Sequence, residues 1–122
     1  MADDDLVEAP LLPDERRSAL VIATAAYQHR AYNPLPGSAR DLTSMAEMLG
    51  DPKVCGFQVQ TLLNKPYAEV WLAINRFFNS RTRDELLLVY FSGHGIMDDH
   101  GRLHLATTDT DPDTLAATSI AA

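Results

Sequence analysis

Leu86-Leu-Leu-Val-Tyr-Phe91 is apolar at all six positions and runs directly into Ser92-Gly-His-Gly95. A strand without polar alternation has to bury both faces, the condition found inside a parallel sheet covered by helices. The segment therefore predicts a central strand. Ser18 to Ala26 is a second continuous apolar run and predicts another. Between them, Leu42, Met45, Ala46 and Leu49 recur at helical spacing after Ser38-Ala-Arg-Asp41, with Gly50 and Pro52 as the stop. Phe57 to Leu62 alternates like a strand. A second helix opens on Asn64 as cap type and Pro66 in its first turn. Its apolar stripe is Tyr67, Val70, Trp71, Ile74, Phe77 and Phe78. Leu103 to Ala106 reads as a further short strand and Asp109 to Thr114 as a polar loop. The order β-α-β-α-β-β predicts the α/β class, with helices layered on a mainly parallel sheet. The pattern stops at Ala122 without a closing element. Three parallel strands alone would have badly exposed edges.

Charge narrows the function classes. The 122 residues hold 17 Asp and Glu against 10 Lys and Arg, a net charge of -7, which argues against nucleic acid as the main partner. Residues 1–17 concentrate six acids around Pro10 and Pro13 and read as a disordered leader. Residues 18–122 are then the folded part, large enough for one core. No apolar run approaches the ~20 residues that span a bilayer, and the acidic start is unlike a signal peptide, so no membrane partner is expected. Cys55 is the single cysteine and cannot close an internal disulfide, which fits a reducing, cytoplasmic setting.

Ligands of open α/β sheets meet the carboxyl ends of the strands, where His94 stands between Gly93 and Gly95. The glycines permit a sharp turn and close approach of backbone amides. An imidazole suits acid–base work near neutrality. On position alone, a structural and a functional histidine are equally open.

The Ser-Gly-His-Gly element behind an apolar strand resembles the histidine motif of the caspase-like cysteine peptidases, metacaspases in particular. Ala19 to Tyr27 is similar to that family's first strand, and Leu35-Pro-Gly-Ser-Ala-Arg-Asp-Leu42 to its loop-to-helix segment. Gly56 to Asn64 is similar to the second strand, and Leu103 to Thr118 to the stretch after the histidine. The likeness runs from about residue 18 to the end of the sequence.

The resemblance implies a three-layer caspase-like sandwich, of which this sequence is the amino-terminal part, truncated before the nucleophile strand. It implies a cysteine endopeptidase in which His94 takes the thiol proton and the Gly95 N–H supports the oxyanion, roles that thiolate catalysis requires on chemical grounds. It places Asp41 in the pocket for an arginine or lysine side chain of a peptide or protein substrate. The residues themselves equally allow a capping box of Ser38 and Asp41. Leu35 and Pro36 stand where caspases specific for aspartate carry an arginine, which favours a basic side chain. In caspases the cysteine follows the histidine by ~50 residues, here near position 144. Cys55 sits before the second strand, about 20 Å from the carboxyl-end crevice at ~3.3 Å per strand residue, and is expected to be inert. The expected partner is therefore the remaining carboxyl-terminal half of the domain. The competing reading is a catalytically inactive caspase-like binding or regulatory module. Bacterial and other simple caspase-like proteins are associated with regulated cell death, stress responses and defence, which is what the resemblance implies for the wider role.

Asp98, Asp99, Asp109, Asp111 and Asp113 raise calcium, on which many metacaspases depend. Their spacing is not that of an EF-hand, and a solvated acidic loop with no cofactor is the expectation. His94, His100 and His104 match no zinc pattern. His104 alternates with Leu103 and Leu105 and is expected to face solvent. Ser92 lacks the Gly-x-Ser-x-Gly elbow, and Thr24-Ala-Ala-Tyr27 lacks the paired acids of a phospho-acceptor domain.

Overall fold

The computed structural model describes residues 16–79 and 81–122. All but Arg16 and Arg17 of the expected leader lie outside them, and Arg17 already belongs to the first strand. Strand β1 (Arg17–Ala23) is followed by α1 (Pro36–Gly50), β2 (Gln58–Leu63), α2 (Tyr67–Phe78) and β3 (Leu86–Ser92). Then come β4 (Gly95–Met97), β5 (Leu103–Ala106), α3 (Leu115–Thr118) and β6 (Ser119–Ala121), with a 3-10 turn at Pro112–Thr114 before α3. β2, β1 and β3 form a parallel sheet in that order, and β4, β5 and β6 a small antiparallel sheet.

β1 is the centre, and alternation along it divides the core into two layers. Ala19, Val21 and Ala23 meet Leu42 and Leu49 of α1 on one face. Leu20 and Ile22 meet Val70 and Phe77 of α2, with Ile120 of β6, on the other. The α/β sandwich with helices on both faces of a parallel sheet is as the alternating pattern predicts.

β3 corrects one expectation. It pairs only with β1 among the described residues, so it lies at an edge instead of the centre, with Leu86 49% and Val89 43% exposed. An apolar sequence records a strand's capacity for burial, while its position is set by pairing.

Asn64 does not cap α2. It sits in the left-handed region at φ 55°, and its Oδ1 accepts the Ala25 and Ala26 N–H groups at 2.7 and 3.1 Å. Asparagine tolerates that conformation because its short amide bonds nearby backbone. The cap comes from far along the chain: Asp109 Oδ1 accepts the Tyr67 N–H at 2.8 Å, at the end of the helix where a carboxylate is favoured.

His104 is buried, against the expectation of a solvent-facing ring. Its Nε2 lies 2.9 Å from Asp98 Oδ2 and its Nδ1 2.9 Å from Ser119 Oγ, while Ser119 Oγ donates to the Leu115 carbonyl. Leu103 is 42% exposed instead. Alternation separates two faces without saying which is inside, and these polar partners settle it. Asp98 is likewise no solvated loop residue. Its Oδ1 accepts the His100 and Arg102 N–H groups at 2.8 and 2.9 Å, closing the β4–β5 turn. The Arg102 N–H and then the His104 ring hold its carboxyl at about 2. No described helix is long and apolar enough to cross a membrane.

Candidate functional site

Four loops converge at the carboxyl ends of the parallel strands. The Thr24 N–H donates to the Ser92 carbonyl at 3.0 Å, carrying the β1–β3 pairing one step further. The loop after β1 is pinned where Leu35 N–H donates to the Ala25 carbonyl and Gln28 N–H to the Thr108 carbonyl, both at 2.8 Å. Asn64 holds the same loop from the β2 side.

Tyr27 fastens His94 to this frame. Its hydroxyl donates to the Thr24 carbonyl and accepts the His94 N–H, each at 2.9 Å, and the two rings lie 4.8 Å apart. Tyr32 stands 5.8 Å from both rings. Burial raises the Tyr27 pKa, with the His94 N–H opposing. Burial, then Asp111 and Asp113, raise that of Tyr32. Both phenols stay protonated at neutral pH, so a neutral aromatic wall surrounds the imidazole.

His94 Nε2 lies 2.8 Å from the Asn33 carbonyl oxygen. A carbonyl only accepts, so Nε2 carries the hydrogen of the neutral ring and Nδ1 is left with the lone pair. An imidazole fixed this way can take a proton at Nδ1 and keep its orientation while charged.

Gly93 is required for space. A Cβ there would stand 2.8 Å from Tyr27 Oη and 2.9 Å from the Phe91 ring. The chain bends at Gly93, between the end of β3 and the start of β4, and does so without a positive φ, which among the glycines is confined to Gly56 and Gly101. Gly95 opens β4 opposite Leu105, where a Cβ would come within 3.1 Å of Leu103 Cδ1. The His94 carbonyl accepts the Ala106 N–H and Asp98 N–H donates to the Arg102 carbonyl. By the alternation of an antiparallel ladder, the Gly95 N–H then faces away from β5.

Asp41 comes to the same end of the sheet. Its Oδ2 lies 2.9 Å from Ser92 Oγ, which also lies 3.0 Å from Ser38 Oγ. No side chain caps α1, whose cap residue is Leu35. The capping-box alternative for Ser38 and Asp41 is thereby replaced by a tie to Ser92, two residues before His94. Asp41 remains exposed and available to a cation.

Cys55 is elsewhere. Its carbonyl accepts Arg17 Nη1 at 2.9 Å beside the start of β1, and its side chain lies against the α1-side core. That is the amino end of the sheet, opposite His94.

The acidic residues do not suit calcium. Asp98 holds its own turn, Asp109 caps α2 and accepts Thr107 Oγ1 at 2.9 Å, and Asp111 accepts the Asp113 N–H. Among the described residues no group of three or more His, Cys, Asp or Glu could hold a metal ion. The carboxylates are directed at separate backbone amides, so no step is derived through a metal.

Sequence reading missed Tyr27, Tyr32 and the Asn33 carbonyl. A pair of tyrosines in the loop after a buried strand was a visible signal for the first two. A backbone carbonyl leaves none.

A model of the caspase domain family matches residues 16–117. No curated protein matches the chain.

Proposed function

The chain belongs to the caspase domain family of cysteine peptidases, and on that premise we propose that it supplies the histidine half of a metacaspase-type endopeptidase site. The single observation carrying this reading is the bond from His94 Nε2 to the Asn33 carbonyl, which leaves Nδ1 as the base at the carboxyl end of β3. His94 takes the proton of a cysteine thiol, and the thiolate attacks the scissile carbonyl. The Gly95 N–H, directed away from β5, supports the oxyanion. His94 then returns the proton to the leaving amine, and water releases the acyl group from the thioester.

Asp41 and Ser92 favour arginine or lysine before the cleaved bond. An exposed carboxylate beside a hydroxyl offers a cation charge-assisted hydrogen bonds, and no arginine accompanies them in Leu35-Pro36. The thiol has to come from outside the described residues, because Cys55 lies at the opposite end of the sheet. The open edge of β3, with Leu86 and Val89 exposed, accommodates another strand that carries it. We assign that strand to the remaining carboxyl-terminal half of the domain, in a reducing cytoplasmic setting.

The test is peptidase activity of the chain together with the residues that follow it in its gene, on fluorogenic peptides ending in Arg, Lys or Asp. Cleavage after Arg and Lys, abolished by His94→Ala, is expected. Activity that survives His94→Ala overturns the assignment. Binding of partner proteins with no cleavage of any peptide supports the inactive module instead.

A further inference from the structure

His104 is a buried titratable group that the proposed reaction does not use. We propose that its ring is doubly protonated in the folded chain, and that the second proton makes His104 a positioning residue, locking β4, and with it His94 and Gly95, to the neighbouring strands. The lock rests on hydrogen-bond directions, and only its consequence for catalysis rests on the peptidase reading.

Both directions are fixed by the partners. Nε2 lies 2.9 Å from Asp98 Oδ2. The Arg102 N–H and then the His104 ring keep the Asp98 carboxyl at about 2, so it is ionised and only accepts. Nε2 therefore carries a hydrogen. Nδ1 lies 2.9 Å from Ser119 Oγ, which has one hydrogen of its own. Ser119 Oγ is 2.5 Å from the Leu115 carbonyl oxygen, a separation that two oxygens keep only with a hydrogen between them. The carbonyl has none to give, so the hydroxyl hydrogen is there. Nδ1 then has to donate as well, and a ring that donates at both nitrogens is an imidazolium.

The surroundings suit a paired charge. The side chains of His104 and Asp98 are 7% and 19% exposed, and a buried charge is tolerated when it is paired and hydrogen-bonded. Arg102 Nε stands 3.8 Å from the same Asp98 oxygen, but its side chain is largely in solvent. Asp99 and His100 of the β4–β5 turn are exposed. Residues 115–121, which form α3 and β6, contain no ionisable side chain, and neither do β4 and the rest of β5. In the loop before α3, Asp109 and Asp111 bond to Tyr67, Thr107 and Asp113, and Asp113 is exposed. Leu105 and Ile120 turn to the α2 side of the core. Alternation therefore puts His104 and Ser119 on the face away from Glu69 and Arg76 of α2.

The ring joins three strands. Asp98 follows β4, His104 lies on β5 opposite Ile96, and Ser119 opens β6. Gly95 begins β4, and the His94 carbonyl accepts the Ala106 N–H at 2.9 Å, two residues along β5 from His104. Loss of the proton takes away one ring donor. Either the pair with Asp98 loses its charge attraction, or Ser119 turns its hydrogen from Leu115 to Nδ1. The folded chain holds this proton more firmly than the unfolded chain, so the lock is complete on the acid side of the His104 titration and is lost as pH rises through it.

The chain is titrated from about pH 5 to about pH 9, a range that brackets an ordinary histidine, with nuclear magnetic resonance detection of the histidine rings and backbone amides. The Gly95 and Ala106 amides are expected to move with two midpoints, those of His94 and His104, and His104→Gln is expected to erase the second alone. Ser119→Ala separates the two hydrogen arrangements and carries the test if His104→Gln does not fold. It removes an acceptor from the imidazolium, so the ring is expected to bind its proton about tenfold more weakly, with the His104 midpoint about one pH unit lower. A serine that donated to a neutral ring would give the opposite sign. A His104 midpoint that rises or stays in Ser119→Ala, or Gly95 and Ala106 amides that follow His94 alone in the parent chain, overturns the proposal. Peptidase activity enters none of these measurements, so failure of the proposed function leaves them standing.

Discussion

His94 Nε2 is 2.8 Å from the carbonyl oxygen of Asn33, a residue 61 positions earlier in the chain. In the role proposed for His94, the bond has the task that a carboxylate has in many hydrolytic triads. It fixes the tautomer and the ring plane, and it has acceptor capacity to spare when the ring becomes charged. A carbonyl does so without a negative charge. The loop after β1 is thus part of the site, although it contributes no side chain to this bond.

Tyr27→Phe tests how far that loop holds the ring. The substitution leaves the His94 N–H and the Thr24 carbonyl without their 2.9 Å partner. Loss of about 1–3 kcal/mol of stability is expected, measured by urea unfolding, together with shifted His94 ring resonances. Unchanged stability and ring signals would show that the phenol is dispensable.

Gly93→Ala probes space instead of hydrogen bonding. The new Cβ would meet Tyr27 Oη at 2.8 Å and the Phe91 ring at 2.9 Å, and both belong to the frame around His94. Overpacking of this kind costs about 1–3 kcal/mol. The expected outcome is a lower melting temperature with the His94 ring displaced, and wild-type stability contradicts the steric account.

How much of this was legible in the sequence varies with the kind of information each feature carries. The three parallel strands and the helices α1 and α2 follow from apolar periodicity, because burial on one or two faces is what periodicity encodes, while the four-residue α3 does not. Neither do strand ends. The apolar run that opens at Ser18 continues to Ala26, yet β1 stops at Ala23, where β2 and β3 end opposite it at Leu63 and Ser92. At His104 the alternation misleads: two leucines beside a histidine suggest an apolar interior, whereas Asp98 and Ser119 make the polar side the buried one. The three-residue strands β4 and β6 are too short to show a period at all. At the site, His94, Gly95 and Asp41 carry recognisable side-chain or motif signals, while the Asn33 carbonyl exists only as a position in the fold.

Asp98 predicts a definite acid response. Its carboxyl titrates at about 2 in the folded chain and near ~3.9 when unfolded, so the unfolded state binds its proton first as pH falls. Its stabilising contribution is complete above about pH 4 and disappears as pH drops through about 2. Urea midpoints measured across that window should fall with pH, and Asp98→Asn should be less stable at neutral pH and lose part of the slope. A variant with the parent's full acid slope would place the effect on other carboxylates.

Asp41→Asn removes the charge beside Ser92 and nearly preserves shape. In the peptidase assay that tests the proposed function, kcat/KM for arginine substrates is expected to fall about 10- to 100-fold, the worth of a charge-assisted hydrogen bond. An equal loss on substrates with an uncharged residue before the cleaved bond would assign Asp41 to structure instead of selectivity.

The central claim is that His94 serves a thiol held on a strand beyond β3 and not Cys55. Covalent labelling tests it most directly, using an arginyl chloromethylketone peptide on the chain with its following residues and locating the adduct by peptide mass spectrometry. A single adduct on a cysteine other than Cys55, lost in His94→Ala, is the predicted result. An adduct on Cys55, or labelling indifferent to His94→Ala, would contradict it.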